Sequence, residues 1–124
     1  LKKNKIKNVK LPVSAPFHCE LMRSATEKMR LEIAKVEFKK PEINIISNVT
    51  AQAVNDPSDI KKLLIEQIEK PVRWREIVIN MIDSKVEKFI EIGPGKVLSG
   101  LVKRINSNVE LIQINDLEDI NKLI

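Results

Sequence analysis

The sequence has 124 residues, with 22 Lys plus Arg against 17 Asp plus Glu, a formal charge of +5, and 43% hydrophobic content. That is enough apolar residue for one core, so the length indicates one domain or a piece of one and disfavours a disordered chain. No apolar run approaches the roughly 18 residues of a membrane span, the Lys-rich start lacks a signal peptide's apolar stretch, and the lone Cys19 excludes an internal disulfide or multi-cysteine metal site.

Periodicity then lays out the elements in chain order. Val9 to Val13 reads as a short strand stopped by the turn-prone Ser14-Ala15-Pro16. Leu21, Ala25, Met29 and Ile33 recur every four residues, which predicts a helix face of roughly four turns. Pro41 ends that region, and Ile43 to Val49 is β-rich. Asn55-Asp56-Pro57-Ser58-Asp59 looks like a turn carrying a helix N-cap. Ile60, Leu63, Leu64 and Ile68 form a second apolar stripe closed by Pro71, and Trp74, Ile77, Val78, Met81 and Ile82 a third. Val86 to Ile92 is a strand running into Gly93-Pro94-Gly95. A fourth helix carries Val97, Leu98, Leu101, Val102 and Ile105 on one side. Val109 to Ile114 is another strand, and Asp116 to Ile124 suits a short final helix. Strands alternating with helices predict an α/β chain, a sheet with helices packed on it.

The basic balance invites a nucleic-acid reading, but Lys2, Lys3, Lys5, Lys7 and Lys10 all precede the first acid, Glu20. Without those five, the rest of the chain is neutral. Phosphate binding wants a basic face on the folded body, with aromatics to stack bases. The four aromatics (Phe17, Phe38, Phe89 and Trp74) are not interleaved with the lysines. Neither a nucleic-acid partner nor a membrane is therefore expected, and the chain reads as cytoplasmic. It opens on Leu1 rather than Met, which suggests a fragment.

Three features could carry chemistry. His18 is the only histidine and sits where a strand-turn enters a helix, a junction at which α/β enzymes present catalytic groups; a capping or surface role competes. Cys19 beside it points about 100° away on a helix and reads as a small buried residue rather than a nucleophile. Gln67 falls on an apolar stripe, where its amide must find partners, either capping the Pro71 bend or facing a polar cleft. Gly93-Pro94-Gly95-Lys96 is a glycine-rich loop between strand and helix that could hold a phosphate on its amides. It is neither a Walker loop nor a dinucleotide fingerprint, so a tight turn competes.

Taken together, the run Leu11-Pro12-Val13-Ser14-Ala15-Pro16-Phe17-His18-Cys19 with Leu21-Met22 resembles the catalytic-histidine segment of malonyl-CoA:acyl carrier protein transacylases. The resemblance continues through Ser47-Asn48-Val49-Thr50 and through Gln67 with Pro71-Val72-Arg73-Trp74. It ends in Glu91-Ile92-Gly93-Pro94-Gly95-Lys96-Val97-Leu98-Ser99-Gly100-Leu101. These segments fall in the family's order and spacing over nearly the whole chain.

The resemblance implies an α/β-hydrolase-like core with a ferredoxin-like subdomain inserted. Residues 1–13 would hold the insert's last strand, and residues 14–124 the C-terminal part of the acyltransferase core. It implies His18 as general base for a serine on a Gly-x-Ser-x-Gly elbow. The main-chain oxygen of Gln67 would orient the imidazole, where classical triads use a carboxylate. Malonyl-CoA would be the substrate, and the acceptor the phosphopantetheine thiol of acyl carrier protein, with no tightly bound cofactor and no metal. Phe17, immediately before the histidine, would place bulk beside the acyl α-carbon and favour malonyl over methylmalonyl, a discrimination worth about 1–3 kcal/mol. A staple at the helix start is its other reading.

The departures are equally specific. None of the seven serines is framed as Gly-x-Ser-x-Gly, and none of the five arginines matches the family's malonyl-binding arginine. A general base without its nucleophile has nothing to activate. The expectation is thus a C-terminal portion of a fatty-acid-synthesis enzyme whose N-terminal half carries the nucleophile, inactive by itself. The alternatives are an acyltransferase segment of a polyketide synthase and a non-catalytic α/β interaction domain of the same fold.

Overall fold

A computed structural model of the chain describes residues 14–123. The predicted strand Val9 to Val13, and with it the 1–13 subdomain assignment, lies outside the described residues. A one-turn 3₁₀ helix, Glu20–Met22, leads into α1 (Arg23–Ala34). A two-residue hairpin follows, β1 (Ile45–Ile46) with β2 (Ala53–Val54), and then α2 (Pro57–Glu66) and α3 (Trp74–Asp83). The chain continues through β3 (Lys88–Ile92), α4 (Val97–Ile105), β4 (Glu110–Ile114) and α5 (Leu117–Asn121).

β3 and β4 pair in parallel, from Lys88 opposite Glu110 to Ile92 opposite Ile114. Parallel neighbours need a crossover, and α4 supplies it. Ile60, Ile65, Ile77, Val78 and Val102 are buried, Val78 completely. One face of β3 turns Phe89 and Glu91 inward. The other leaves Ile90 and Ile92 exposed.

The β-rich stretch Ile43 to Val49 contributes only Ile45–Ile46 to a strand. At Ser47 the chain turns instead. The Ser47 hydroxyl accepts the Val49 N–H at 3.1 Å, and the Ser47 carbonyl accepts the Ala51 N–H at 2.8 Å. Such local bonds offer the backbone an alternative to a ladder. Ala51, at φ 58°, completes the turn, and the return strand Ala53–Val54 is too short to announce itself in the sequence.

α2 begins where the turn residues indicate. Asp56 accepts the N–H groups of Ser58 (2.9 Å) and Asp59 (3.1 Å), with Pro57 in the first turn. The Ser58 hydroxyl and these amides hold the Asp56 carboxyl below its ordinary range.

α1 and α2 pack antiparallel. At one end, Lys61 of α2 donates to the carbonyls of Ala34 (3.2 Å) and Val36 (3.1 Å), a cation at the negative end of α1. At the other end, Arg23 of α1 lies 3.9 Å from Glu69, just beyond α2. The start of α1 is thereby held beside the end of α2. The predicted apolar face of α1 remains largely uncovered, with Leu21 and Met29 exposed and Ala25 and Ile33 half-buried.

Candidate functional site

The antiparallel helix pair brings His18 to Gln67 across 49 residues of sequence. Leading into α1, the Phe17 N–H bonds the Ala15 carbonyl (2.9 Å), and the Met22 N–H bonds the Cys19 carbonyl (3.0 Å). Between them His18 takes the left-handed conformation, φ 61°. An L-residue pays roughly 1–2 kcal/mol there, although His is among the side chains that adopt it more often. Strain of this kind persists where the surroundings over-determine the conformation. The contact to Gln67 is one such constraint.

Gln67 is the C-cap of α2. Its carbonyl would ordinarily accept the N–H four residues later, but that residue is Pro71, which has none. The orphaned oxygen lies 2.9 Å from Nδ1 of His18. A carbonyl only accepts, so Nδ1 carries the proton in this contact, leaving Nε2 bare in the neutral ring. Among the described residues no carboxylate pairs with His18; the ion pairs all lie elsewhere.

The Gln67 side chain caps the bend: Nε2 donates to the Lys70 carbonyl at 3.0 Å. A cleft of about 230 Å³ opens beside it, lined by Ile46, Ser47, Val54, Ile60 and Leu63 among others, and it is chiefly apolar rather than the polar cleft of the alternative reading. Phe17 is 56% exposed, so as a staple on α1 it buries little. Cys19 is half-buried rather than buried, and its thiol donates to the Pro16 carbonyl at 3.1 Å.

The glycine loop does not offer its amides to a phosphate. Glu91, on β3, reaches back over the loop to the start of α4, where its carboxylate accepts the N–H groups of Leu98 (2.9 Å) and Ser99 (2.7 Å). It also accepts the Ser99 hydroxyl at 2.6 Å. These bonds, the hydroxyl first, hold the Glu91 carboxyl below its ordinary range. The chain thus supplies its own anion at that helix start. Gly93 N–H bonds the Ile114 carbonyl (2.9 Å) and Gly95 N–H the Asn115 side chain (2.8 Å). Both glycines have positive φ, 134° and 96°, so the segment is a tight turn joining strand to helix.

Arg73 is likewise committed. It forms a two-point pair with Glu76 (2.9 and 3.2 Å) and donates to the Thr50 carbonyl (3.1 Å), while its own N–H bonds the Asn48 carbonyl (3.1 Å). Glu76 raises its already high pKa further. The Ser47–Thr50 and Pro71–Trp74 motifs are therefore two sides of one joint. That joint fixes the hairpin turn against the start of α3, next to Gln67. Among the described residues no group of three His, Cys, Asp or Glu could hold a metal ion.

Three features of this region escaped sequence reasoning: the left-handed His18, the Glu91 cap and the Lys61 clamp. The last two join residues from different elements and have no local spacing signal. Glu91 does precede the glycine loop in the recognised motif, which was its only pointer.

This strand–helix chain has its counterparts among acyltransferases. Curated homologues at 38–46% identity are malonyl CoA-acyl carrier protein transacylases, and the chain corresponds to a C-terminal portion of them. The Bacillus subtilis protein is 46% identical over 112 residues, covering 90% of this chain and 35% of its own length. Among solved structures, the Coxiella burnetii malonyl CoA-acyl carrier protein transacylase superposes with TM-score 0.90 at 35% identity, over 99% of this chain and 39% of that one. A malonyl-transacylase solved in complex with a type II polyketide-synthase acyl carrier protein gives TM-score 0.83 at 35% identity, over 90% of this chain and 36% of its own. The chain thus spans little more than a third of the length of the relatives it matches. No family model matches it. No helix among the described residues is long and apolar enough to cross a membrane.

Proposed function

We propose that this chain supplies the general-base half of a malonyl-CoA:acyl carrier protein transacylase. The observation that carries this reading is the 2.9 Å bond from His18 Nδ1 to the Gln67 main-chain oxygen, which leaves Nε2 as the free base. In the complete site a serine from the upstream portion attacks the malonyl thioester carbonyl while Nε2 of His18 takes the hydroxyl proton. The imidazolium, its Nδ1–H still held by Gln67, returns a proton to the departing coenzyme A thiolate. In the second half-reaction the pantetheine thiol of acyl carrier protein attacks the acyl-serine, giving its proton to His18, which passes it back to the serine oxygen. Each half-reaction forms one acyl bond, breaks one, and restores the neutral base.

The same reading assigns residues 1–13 to the end of a ferredoxin-like insert and residues 14–124 to an α/β-hydrolase-like core, working in the cytoplasm without a tightly bound cofactor. It places Phe17 beside the acyl α-carbon. Fatty-acid synthesis is the setting this reading takes; the homologues' names give the malonyl-CoA and acyl carrier protein chemistry. Malonyl loading in polyketide synthesis is the second reading, favoured by the relative solved with a polyketide-synthase carrier protein. A non-catalytic role for the fold would require the gene to lack an upstream Gly-x-Ser-x-Gly segment.

The test is transfer of labelled malonyl from coenzyme A to acyl carrier protein, with this chain alone and joined to an upstream portion carrying the serine. Transfer by the joined protein only is expected. Transfer above background by the 124 residues alone would overturn the division of labour.

A further inference from the structure

Gln67 meets His18 twice. Besides its main-chain oxygen, its side-chain Nε2 lies 3.3 Å from the same ring nitrogen, Nδ1. That amide's orientation is decided by the 3.0 Å bond from Nε2 to the Lys70 carbonyl. Exchanging the amide's oxygen and nitrogen would set two oxygens against each other there. It would also leave an N–H group where Oε1 now sits buried without a partner among the described residues.

The Gln67 carbonyl does not need this side chain to aim it. Gln67 N–H bonds the Leu63 carbonyl (2.9 Å), Ile68 N–H that of Ile65 (3.3 Å) and Lys70 N–H that of Glu66 (2.9 Å). The backbone at Gln67 keeps helical angles, φ −58° and ψ −25°. The second N–H of the carboxamide is therefore a donor placed beside the imidazole and not required by the turn.

The two contacts exclude each other. The oxygen bonds Nδ1 only when Nδ1 carries a proton; the amide bonds it only when Nδ1 is bare. We propose that the Gln67 carboxamide is a positioning residue that divides neutral His18 between two tautomers, one held by the main-chain oxygen and one by the side-chain amide. Only the first leaves Nε2 free to act as a base. This rests on the base reading of His18 given above and deepens it. The shorter oxygen contact favours the competent tautomer, and the amide withdraws the remainder. The rate scales with the competent fraction, so an even split would leave room for about a twofold gain on removing the amide donor.

The test is ¹⁵N NMR of the full chain labelled at histidine, at a pH where the ring is neutral; within these 124 residues His18 is the only histidine. Gln67→Met keeps the side-chain length and removes the donor. In the unsubstituted chain both ring nitrogens are expected at shifts between the protonated and bare limits. In Gln67→Met they should move to the limits of the Nδ1–H tautomer. An unsubstituted chain already at the Nδ1–H limit overturns the proposal, as does a Met variant that moves toward Nε2–H. Should the variant not fold, the first spectrum still decides against the proposal if it shows a single tautomer. The readout needs no turnover. An unchanged transfer rate in His18→Ala would remove the base reading and leave the tautomer result standing.

Discussion

Glu91 and Ser99, eight residues apart, are joined twice: one carboxylate oxygen accepts both the main-chain N–H and the hydroxyl of Ser99. The glycine turn between them exists to let a strand residue cap the helix that follows it. Because these bonds favour the charged form, the folded-state pKa of Glu91 lies below its unfolded value. The contribution to stability is then complete above the unfolded pKa and is lost as pH falls through the lower, folded one. Glu91→Gln should melt at a lower temperature than the parent at neutral pH, and the gap should narrow as pH falls below the ordinary carboxylate range and the Glu91 carboxylate titrates. Melting curves from pH 7 to pH 3 check this; a gap of constant size would mean that the charge is not what matters.

Lys61 ties the far end of the α1–α2 pair and so maintains the packing that delivers His18 to Gln67. Lys61→Met keeps the aliphatic stem and removes the ammonium from the Ala34 and Val36 carbonyls. The expected loss is about 0.5–1 kcal/mol, the usual scale for a cation at a helix C-terminus. Urea denaturation would detect it as a lower midpoint, and an unmoved midpoint would contradict it.

Lys85 closes α3 in a left-handed conformation, φ 69°. Its N–H bonds the Ile82 carbonyl (2.8 Å) and the Val86 N–H that of Met81 (3.0 Å), the paired bonds of a Schellman end, where glycine is usual. Lys85→Gly relieves the strain of an L-residue but frees the unfolded chain, so a net gain of roughly 0.5 kcal/mol is expected. A lower melting temperature in the glycine variant would show that the lysine side chain holds something the backbone does not reveal.

Much of this architecture was legible in the sequence because its signals are local. The stripes at Ile60–Ile68, Trp74–Ile82 and Val97–Ile105 each became a helix, and Asp56-Pro57 marked the start of one. The apolar runs before and after the glycine turn became the parallel pair. Pro71 accounts for the free Gln67 carbonyl, because a missing N–H at one residue leaves a known oxygen unclaimed. The brief hairpin was not legible, since Ser47 diverts a β-rich run through a side-chain bond. Nor was the backbone at His18: neither periodicity nor composition marks a left-handed histidine. Leu21 in the 3₁₀ turn, Met29 on α1, and Ile90 and Ile92 on β3 follow their apolar patterns but remain exposed among the described residues.

Cys19 separates the two neighbours at the helix entrance. Its thiol is occupied by the Pro16 carbonyl. In the joined enzyme, Cys19→Ser should therefore keep most of the transfer activity, since a hydroxyl can make the same bond. Alkylation of the parent protein would be a poor substitute for this variant, because the added bulk would press on the His18 turn. Loss of activity in Cys19→Ser with retention in His18→Ala would name the wrong residue.

The most direct measurement is the transfer rate of His18→Ala in the joined enzyme, beside Gln67→Ala in the same background. If His18 is the base, its removal should lower malonyl transfer roughly 10²–10⁴-fold, the range for losing a positioned general base. Gln67→Ala keeps the main-chain oxygen and removes the amide donor, so its rate should match the parent's or exceed it by no more than about twofold. A His18→Ala enzyme that transfers malonyl at a rate comparable to the parent's would contradict the account.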